Sequence, residues 1–380
     1  MRKIGLRARR DKNERKNAIN GEKPREYILT KRPIYDNILK GMLKEKGLYL
    51  ITDPATRLYF TGFASSAGFV IFVDKKKYFV VDARYHHAAK RKIKNGFEVV
   101  KGSYNDALAI MRDSGEKVLY IDFEKTTLSE GQKLTLAGYE LRDCHEEIVG
   151  ARSIKTDREL YLIKRACTIA ENALKATLPY IKEGVTEKHI AAVLEMNFKV
   201  FGAEKPSFDS IVAFGANAAI PHHEPDDTAL KRNSVVLIDF GCLYKGYCSD
   251  ITRTFFFGKP NKEFKSAYNA VNAAFSAAFR NIRAGVSGVV ADSYARDLLK
   301  QKGYGQYFTH SLGHGIGVDI HEDPYLSPKG EAALLDGAVF SIEPGVYLND
   351  KFGIRIENTV TLKNGRVKSL VTLPRRLKLL

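Results

Sequence analysis

Four carboxylates and one imidazole in the second half of this sequence have the types and spacing needed to hold metal ions. These residues are Asp239, Asp250, His314, Glu343 and Glu357. Carboxylate oxygens with a single imidazole suit Mn²⁺, Co²⁺ or Fe²⁺ better than a thiolate site would, and Zn²⁺ is also compatible. Two such ions roughly 3.5 Å apart can share a hydroxide and hold both the attacking and the leaving atoms. The set therefore predicts hydrolysis.

The two aspartates lie in a segment with the pattern of a β-hairpin. An apolar run precedes Asp239, and a loop sequence at 243–246 separates it from Asp250. A turn centred on residues 244–245 would place Asp239 directly opposite Asp250. Both carboxylates would then point to the same face of the sheet.

The two glutamates repeat this arrangement. Glu343 ends the run 339–343 and Glu357 ends the run 353–357, and a turn centred on Asp350 sets the two glutamates opposite each other. Like charges across a ladder destabilise a sheet unless a cation lies between them, and a metal ion is the simplest such cation. The alternative, ordinary surface charges, fits poorly with the apolar neighbours of these residues.

An internal repeat supports a shared centre. The segment IKEGVT at 181–186 recurs as IRAGVS at 282–287, each between two amphipathic helix patterns, and IDFG at 238–241 is echoed by IEPG at 342–345. This predicts a duplicated helix–helix–hairpin unit. Two units related by a pseudo-twofold axis would each contribute one carboxylate pair.

The motifs around these residues closely resemble those of the pita-bread metallopeptidases, among them the Xaa-Pro dipeptidases (prolidases) and the Xaa-Pro aminopeptidases. The matching stretches are 207–222, IDFGCLYKGYCSDITRTF at 238–255, HSLGHGIGVDIHEDP at 310–324, SIEPGVY at 341–347 and GIRIENTV at 353–360. Residues 32–151 are similar to the smaller N-terminal domain of these enzymes, especially at 53–63 and 80–85.

The resemblance implies an α/β (α+β) fold with a creatinase-type N-terminal domain and a pita-bread catalytic domain that contains the duplication. We expect a basic leader at 1–31, the N-terminal domain at 32–151 and the catalytic domain at 152–380. A capping box at 156–159 opens a long helix through about Tyr180, just after this boundary. Short β-rich runs alternate with helical patterns before it, namely Leu48–Ile51, Phe69–Val73, Tyr78–Val81 and Val118–Ile121.

The resemblance also implies a role for each ligand. Asp250 and Glu357 would bridge two divalent ions, Asp239 would complete one site, and His314 and Glu343 would complete the other. Mn²⁺ or Co²⁺ is expected, with Zn²⁺ or Fe²⁺ as alternatives. Glu343 would also accept a proton from the attacking water. Because the set is complete, an active peptidase is favoured over hydrolysis without a metal.

Three further histidines are candidate catalytic residues. The resemblance implies substrate contacts for His222, His310 and His321. His222 lies in a loop that contains proline, where a donor could steady the oxyanion or the leaving amide. His321 follows the glycine-rich segment 313–317, whose glycines let the backbone bend closely around a ligand.

Arg355 and Thr252 are candidates to surround the ligands. Arg355 shares a strand face with Glu357, two residues later, and could either orient a ligand carboxylate or bind a substrate carboxylate in a bidentate manner. Thr252 shares a face with Asp250 and could supply a supporting hydroxyl.

The implied activity is cleavage of the Xaa-Pro bond at the N-terminus of dipeptides or short peptides with proline second. This bond is a tertiary amide without an N–H, which defeats peptidases that read that donor. The compact N-terminal domain resembles that of the short microbial prolidase-like enzymes, and this resemblance favours dipeptides, with some longer Xaa-Pro peptides tolerated. The alternatives are an Xaa-Pro aminopeptidase strict for longer peptides and a methionine aminopeptidase-like enzyme, in which a separate N-terminal domain of this kind is unusual.

Charge and composition bear on partners. Of the net charge of +17, residues 1–33 contribute +8, from twelve Lys/Arg and four Asp/Glu. This leader is predicted to be a disordered, solvated tail. Nucleic-acid binding is not expected, and this leader is the one segment that offers it as an alternative. A non-catalytic pita-bread protein that binds RNA or ribosomes is the rival from another class, and the complete ligand set argues against it.

The cysteines and the hydropathy bear on location. The four cysteines lack zinc-type spacing, and the sequence shows neither a signal peptide nor a membrane-length apolar segment. A cytoplasmic protein that does not bind membranes is therefore expected, with its thiols reduced. The N-terminal α/β domain is expected to cap the catalytic domain or to form a homodimer.

Overall fold

The computed structural model describes residues 47–380. The predicted leader, its nucleic-acid contact and the first part of the predicted N-terminal domain lie outside the described residues. The helices are Pro54–Thr61 (α1), Ala83–Lys92 (α2), Tyr104–Asp113 (α3), Leu128–Leu136 (α4), His145–Ser153 (α5), Asp157–Thr177 (α6), Glu187–Val200 (α7), Lys262–Asn281 (α8) and Gly288–Gln301 (α9), with short 3₁₀ segments at Leu178–Tyr180, Gly215–Ala219 and Gly305–Tyr307.

The strands are numbered in the same way. They are Leu48–Ile51 (β1), Phe69–Val73 (β2), Lys76–Val81 (β3), Glu98–Lys101 (β4), Val118–Ile121 (β5), Glu140–Asp143 (β6), Lys205–Pro206 (β7), Ile211–Phe214 (β8), Ser234–Phe240 (β9), Cys242–Tyr244 (β10), Tyr247–Cys248 (β11), Ile251–Phe257 (β12), Gly313–Gly315 (β13), Glu322–Leu326 (β14), Val339–Ile342 (β15), Gly345–Leu348 (β16), Phe352–Arg355 (β17), Asn358–Lys363 (β18) and Arg366–Ser369 (β19).

Residues 48–143 form one mixed six-stranded sheet, in the order β4-β3-β2-β1-β5-β6. Strands β1, β2 and β3 pair antiparallel, whereas β4 joins β3, β5 joins β1 and β6 joins β5 in parallel. The predicted β-rich runs are confirmed as β1, β2, β3 and β5, with β3 beginning two residues earlier than expected.

Helix α5 leads from this sheet to the rest of the chain. The domain boundary expected between residues 151 and 152 falls in its last turn. The capping box at the start of α6 is confirmed, because the Thr156 N–H donates to Glu159 Oε2 (2.9 Å) and the Glu159 N–H donates to Thr156 Oγ1 (3.3 Å). Helix α6 ends at Thr177, and the 3₁₀ segment continues the helical path through Tyr180.

The predicted duplication is confirmed by matching local structure in two helix pairs. Helices α6 and α7 enclose the first repeat, and α8 and α9 enclose the second. In the first, the Gly184 N–H donates to the Leu230 carbonyl (2.8 Å), and in the second the Gly285 N–H donates to the Leu334 carbonyl (2.7 Å). Both glycines adopt a left-handed conformation, with φ of 86° and 91°, which explains the shared glycine.

The sheets of the duplicated half lie between these helix pairs. One has the order β12-β9-β8 and another the order β14-β13-β15-β18-β19, with β16-β17 as a separate ladder. Along β9, Val236 and Ile238 pack with α6 and α7, whereas Val235 and Leu237 pack with α8 and α9. Strand alternation therefore buries both faces, and Asp239 is the penultimate residue of this buried strand. Within residues 47–380, none of the helices combines the length and apolar character needed to cross a bilayer.

Candidate metal centre

The predicted register of the aspartate hairpin is wrong by two residues. Asp239 pairs with Thr252, not with Asp250. The turn consists of Lys245 and Gly246, whose φ values are 49° and 82°, as a two-residue type I′ turn requires. The hairpin centre is thus one residue later than expected. Side chains alternate along a strand, so Asp250 points to the same face as Thr252, which is the partner of Asp239. The two aspartate side chains therefore still point to the same face of the sheet.

The predicted register of the glutamates is confirmed by the ladders on either side. The β15–β18 ladder ends at the pair Ile342 and Asn358, and the β16–β17 ladder continues with the same residue sum. Glu343 and Glu357 lie where one ladder gives way to the other. Neither glutamate belongs to either ladder, and both lie at the junction between the two ladders.

The predicted ligands converge around His314. Ligand atoms of Asp250, His314 and Glu357 all lie within 4.8 Å of one another. His314 Nε2 is 3.6 Å from Asp250 Oδ2 and 3.2 Å from Glu343 Oε1. The other ring nitrogen, Nδ1, contacts the Gly315 carbonyl at 3.1 Å. A carbonyl only accepts, so Nδ1 carries a proton, and Nε2 is the ring nitrogen that faces the carboxylates and that a metal ion could bind once it is deprotonated.

Two ligand oxygens in this centre fit a bound cation. Among the described residues, Asp239 Oδ1 and Glu357 Oε1 are buried without a hydrogen-bond partner. The second oxygen of each is held in place, since Arg355 donates to Asp239 Oδ2 (2.6 Å) and Thr252 Oγ1 donates to Glu357 Oε2 (2.7 Å). A buried unpaired carboxylate oxygen is costly, and a metal ion satisfies it.

The electrostatics of the centre also fit divalent cations. Burial, and then the negative charges of neighbouring carboxylates, raise the pKa of both Asp250 and Glu357 well above the usual range. Burial would also raise the pKa of Glu343, but the hydrogen bond and charge of His314 lower it to about 2. Within the described residues, carboxylates in this centre outnumber the cations, so added positive charge would stabilise it.

Arg355 organises the centre from one side. Its Nε donates to Thr252 Oγ1 (3.0 Å), one terminal nitrogen donates to Tyr347 Oη (2.6 Å), and the other binds Asp239. These contacts favour the first of the two roles predicted for Arg355, the orientation of a ligand carboxylate. Tyr347 was not predicted, although the β16–β17 register sets Gly345 opposite Arg355 and so places Tyr347 diagonally beside it.

The three candidate histidines are placed differently. His310 uses both ring nitrogens within the protein, with Nδ1 2.8 Å from the Ser311 carbonyl and Nε2 2.9 Å from Tyr347 Oη. The ring of His321, which is exposed, lies 4.3 Å from that of His314 at an angle of 79°. Loss of solvent, and then the charges of His314 and His222, lower the pKa of His321. His222 is exposed and within electrostatic range of both other candidates.

Arg253 is a second buried cation that the sequence did not reveal. One of its terminal nitrogens donates to the carbonyls of Thr252 (2.8 Å) and Glu357 (2.5 Å), and the other donates to Asn358 Oδ1 and the Leu373 carbonyl, both at 2.8 Å. Burial lowers its pKa to about 10. Arg253 thus fixes the backbone behind two residues of the centre, through carbonyls that a sequence pattern cannot identify.

Comparison with known proteins agrees with this geometry. Residues 161–364 match the model of metallopeptidase family M24, and residues 39–154 match the creatinase/prolidase N-terminal domain. The chain belongs to metallopeptidase family M24. The expected pita-bread fold with a creatinase-type N-terminal domain is thereby confirmed, and divalent metal ions are implied.

Several M24 relatives cover almost the whole chain. A Xaa-Pro dipeptidase of Pyrococcus furiosus is 35% identical over 338 residues, 86% of this chain and 94% of the relative. The solved structure of an X-Pro aminopeptidase from Thermotoga maritima is 36% identical with a TM-score of 0.84, covering 91% of this chain and 100% of the other. A prolidase structure from Pyrococcus furiosus is 33% identical with a TM-score of 0.82, covering 89% and 99%.

Proposed function

We propose that this M24 peptidase hydrolyses the Xaa-Pro bond of dipeptides, using two divalent metal ions. The observation that carries the proposal is the convergence of Asp250, His314 and Glu357 within 4.8 Å, beside buried carboxylate oxygens that lack a partner. Similarity to proteins named Xaa-Pro dipeptidase and prolidase supports the choice of bond.

We assign the five ligands to two adjoining positions. Asp250 and Glu357 would contribute to both positions, Asp239 would complete one, and His314 and Glu343 would complete the other. The bound ions supply Lewis-acid polarisation of the scissile carbonyl and acidify the attacking water. Mn²⁺ or Co²⁺ is proposed, because oxygen-rich sites with one imidazole suit these ions, and Zn²⁺ or Fe²⁺ remains compatible with the same set.

The side chains around the ligands then perform the proton transfers and the orientation. As a proposed metal ligand Glu343 would be deprotonated, and it could accept the proton of the attacking water. The Ser341 hydroxyl donates to Glu343 Oε1 (2.8 Å) and fixes its direction. His321, whose pKa is lowered, is neutral at pH 7 and is proposed to contact the carbonyl or the leaving nitrogen.

His222 and His310 receive different roles. The exposed His222 is proposed to contact the substrate directly. His310, whose ring nitrogens are both occupied, is proposed to orient Tyr347, and through Tyr347 to orient Arg355. Burial lowers the pKa of His310, which favours a neutral ring whose Nε2 accepts a hydrogen bond from the Tyr347 hydroxyl.

Dipeptides and longer peptides can be separated by a direct assay. Hydrolysis of Ala-Pro is compared with that of Ala-Pro-Ala, each with Mn²⁺ and with Co²⁺, and a chelated sample serves as the control. Faster cleavage of the dipeptide is expected. A strong preference for the tripeptide would overturn the dipeptidase proposal in favour of an Xaa-Pro aminopeptidase, whereas activity that survives chelation would overturn the metal-dependent mechanism.

We further propose a homodimer formed through the N-terminal domain, whose bounds we place at 32–151, with the catalytic domain at 152–380. The described part of that domain exposes Phe123, Leu128 and Leu136 around one apolar groove, and exposed apolar patches of this kind mark protein contacts. Light scattering during gel filtration tests the dimer. A cytoplasmic location is proposed from four free, buried cysteines.

A further inference from the structure

The loop that carries His222 is attached at its far end to the start of helix α7. The Glu187 N–H donates to the Thr228 carbonyl and the Lys188 N–H donates to the Asp226 carbonyl, both at 3.2 Å. These are N–H groups of the first helical turn, which have no partner within a helix. The start of α7 therefore serves as the base on which the end of the loop rests.

The Glu187 side chain fixes the loop from within. It is fully buried, and its Oε1 accepts hydrogen bonds from the Phe214 N–H (2.6 Å) and Asn217 Nδ2 (3.0 Å). Its Oε2 contacts His223 Nε2 (2.7 Å) and accepts from the Asp226 N–H (3.1 Å). Glu187, His223 and Asp226 have ligand-like spacing, but a carboxylate with two donors on each oxygen is satisfied without a metal.

The other side of the loop rests on the strand that carries Arg355. A side chain at Gly353 would place its Cβ 1.8 Å from the Ala218 carbonyl oxygen, so only glycine permits this approach. Arg355 also donates to the Pro221 carbonyl at 3.3 Å. His222 therefore lies between Pro221, whose carbonyl accepts a hydrogen bond from Arg355, and His223, whose ring contacts Glu187.

We infer that Glu187 and His223 are positioning residues that hold His222 in its working orientation at the metal centre. The inference rests on the proposed substrate contact of His222. Because His222 is exposed, few contacts of its own ring restrain it, and its direction depends on the backbone of the loop. Buried charge-assisted hydrogen bonds are strong enough to fix that backbone.

The duplicated unit shows that this device is particular to the first half. Alignment of the two repeats places Gly288 at the position of Glu187. A Cβ there would lie 2.0 Å from the Tyr325 carbonyl oxygen, so no carboxylate fits. In the second half, the residue after His321 is instead held by cations from outside that repeat. Glu322 accepts hydrogen bonds from Arg152 (2.7 Å) and Lys155 (2.8 Å), which precede helix α6.

The first test replaces the buried groups one at a time. Glu187→Gln presents an amide to two groups that donate to Oε2, and His223→Leu removes the donor while filling its volume. Each is expected to lower kcat roughly tenfold to a hundredfold, as for residues that orient ligands and substrates, with KM changed less and two metal ions still bound per chain. His223→Gln retains a donor near the position of Nε2, so it should recover much of the loss.

The second test asks whether the loss passes through His222. In a His222→Ala background, Glu187→Gln should have almost no further effect on kcat, because coupled residues are non-additive. The matched control is Glu171→Gln. Glu171 is another buried glutamate, which accepts hydrogen bonds from Thr372 Oγ1 (2.6 Å) and the Leu373 N–H (3.0 Å) far along the chain. The Glu171→Gln substitution should lower the melting temperature without changing kcat, both in the wild-type and in the His222→Ala background.

The outcomes separate the inference from the proposed function on which it rests. An undiminished effect of Glu187→Gln in the His222→Ala background overturns the positioning role and leaves the role of His222 standing. Wild-type kcat in His222→Ala overturns the role of His222, and with it the positioning. Loss of bound metal in Glu187→Gln at unchanged kcat per bound ion also overturns the inference, since Glu187 would then support the ligands.

Discussion

Replacing Thr252 with valine tests how far one hydroxyl supports the metal ligands. The Thr252 hydroxyl is fully buried, donates to Glu357 Oε2 at 2.7 Å and accepts from Arg355 Nε at 3.0 Å. Valine keeps the volume and removes both hydrogen bonds. Glu357 then loses the contact that fixes its direction, and Arg355 is left with a buried donor that has no acceptor.

The size of the effect follows from the charge on the acceptor. A hydrogen bond to a charged group contributes about 1.5–3 kcal/mol, which corresponds to roughly a tenfold to 150-fold weaker metal affinity. The hydroxyl also lowers the pKa of Glu357, against the larger effect of burial that raises it. Its removal therefore favours the protonated carboxyl, from which the metal must displace the proton, and this acts in the same direction.

The assay is titration of metal-free protein with Mn²⁺ at neutral pH, in which the free ion is measured, together with thermal unfolding without metal. Thr254→Val is the matched control. Thr254 is buried two residues along the same strand and makes two hydrogen bonds to the backbone of Arg355, at 2.9 and 3.1 Å. It should lose about 1–3 kcal/mol of stability with metal affinity near that of the wild type.

Equal metal affinities in the two variants would refute the reasoning. The Thr252 hydroxyl would then act only on folding, as Thr254 does, and the orientation of Glu357 would have to come from elsewhere. Mn²⁺ stabilises the folded protein by an amount that depends on its affinity for the site. If saturation with Mn²⁺ fully recovered the stability lost in Thr252→Val, the site of the variant would not be weaker, and the reasoning would again be contradicted.

Three other outcomes are expected. Asp250→Ala and Glu357→Ala should each abolish hydrolysis, since each removes a ligand proposed to be shared by both ions; activity with two ions still bound per chain would contradict this. His321→Ala should retain both ions and lose mainly kcat, and turnover equal to that of the wild type would disprove its role. Burial alone would raise the pKa of Glu322, but the neighbouring cations lower it below its ordinary value of 4.5. The stability that the ionised Glu322 gives the fold is therefore present above pH 4.5 and is lost as the pH falls through the lower pKa of the folded state. Glu322→Gln should therefore lose less additional stability on acidification than the wild type, as thermal unfolding across the acidic range would show.

The sequence predicted the glutamate hairpin more accurately than the aspartate hairpin, and the turns explain why. Around Asp350 the loop is symmetric, and the register on both sides follows from its centre. In the aspartate hairpin, the two consecutive residues with positive φ, Lys245 and Gly246, set the centre of the turn. Asp239 therefore pairs with Thr252 and not with Asp250. A type I′ turn ending in glycine could have been recognised from sequence.

Residues that act on the centre through tertiary contacts could not be predicted in this way. Arg253 is identified by the carbonyls it binds, and Glu187 by four donors on a distant loop. Neither set of contacts leaves a spacing pattern in the chain, because all of the partners except the adjacent Thr252 carbonyl are more than 25 residues away. The contact of the His310 ring with Tyr347 was likewise not predicted, and the substrate contact implied for His310 by its motif stays a prediction.

The duplication has a consequence for biosynthesis. The first repeat carries Asp239 and Asp250, and the second carries His314, Glu343 and Glu357. During translation, a chain that has emerged only through the first repeat holds two of the five proposed ligands and too few donors to retain a pair of ions. Hydrolytic capacity therefore arises only after both repeats have been made and have closed on each other, and an incompletely synthesised chain carries no peptidase activity of its own.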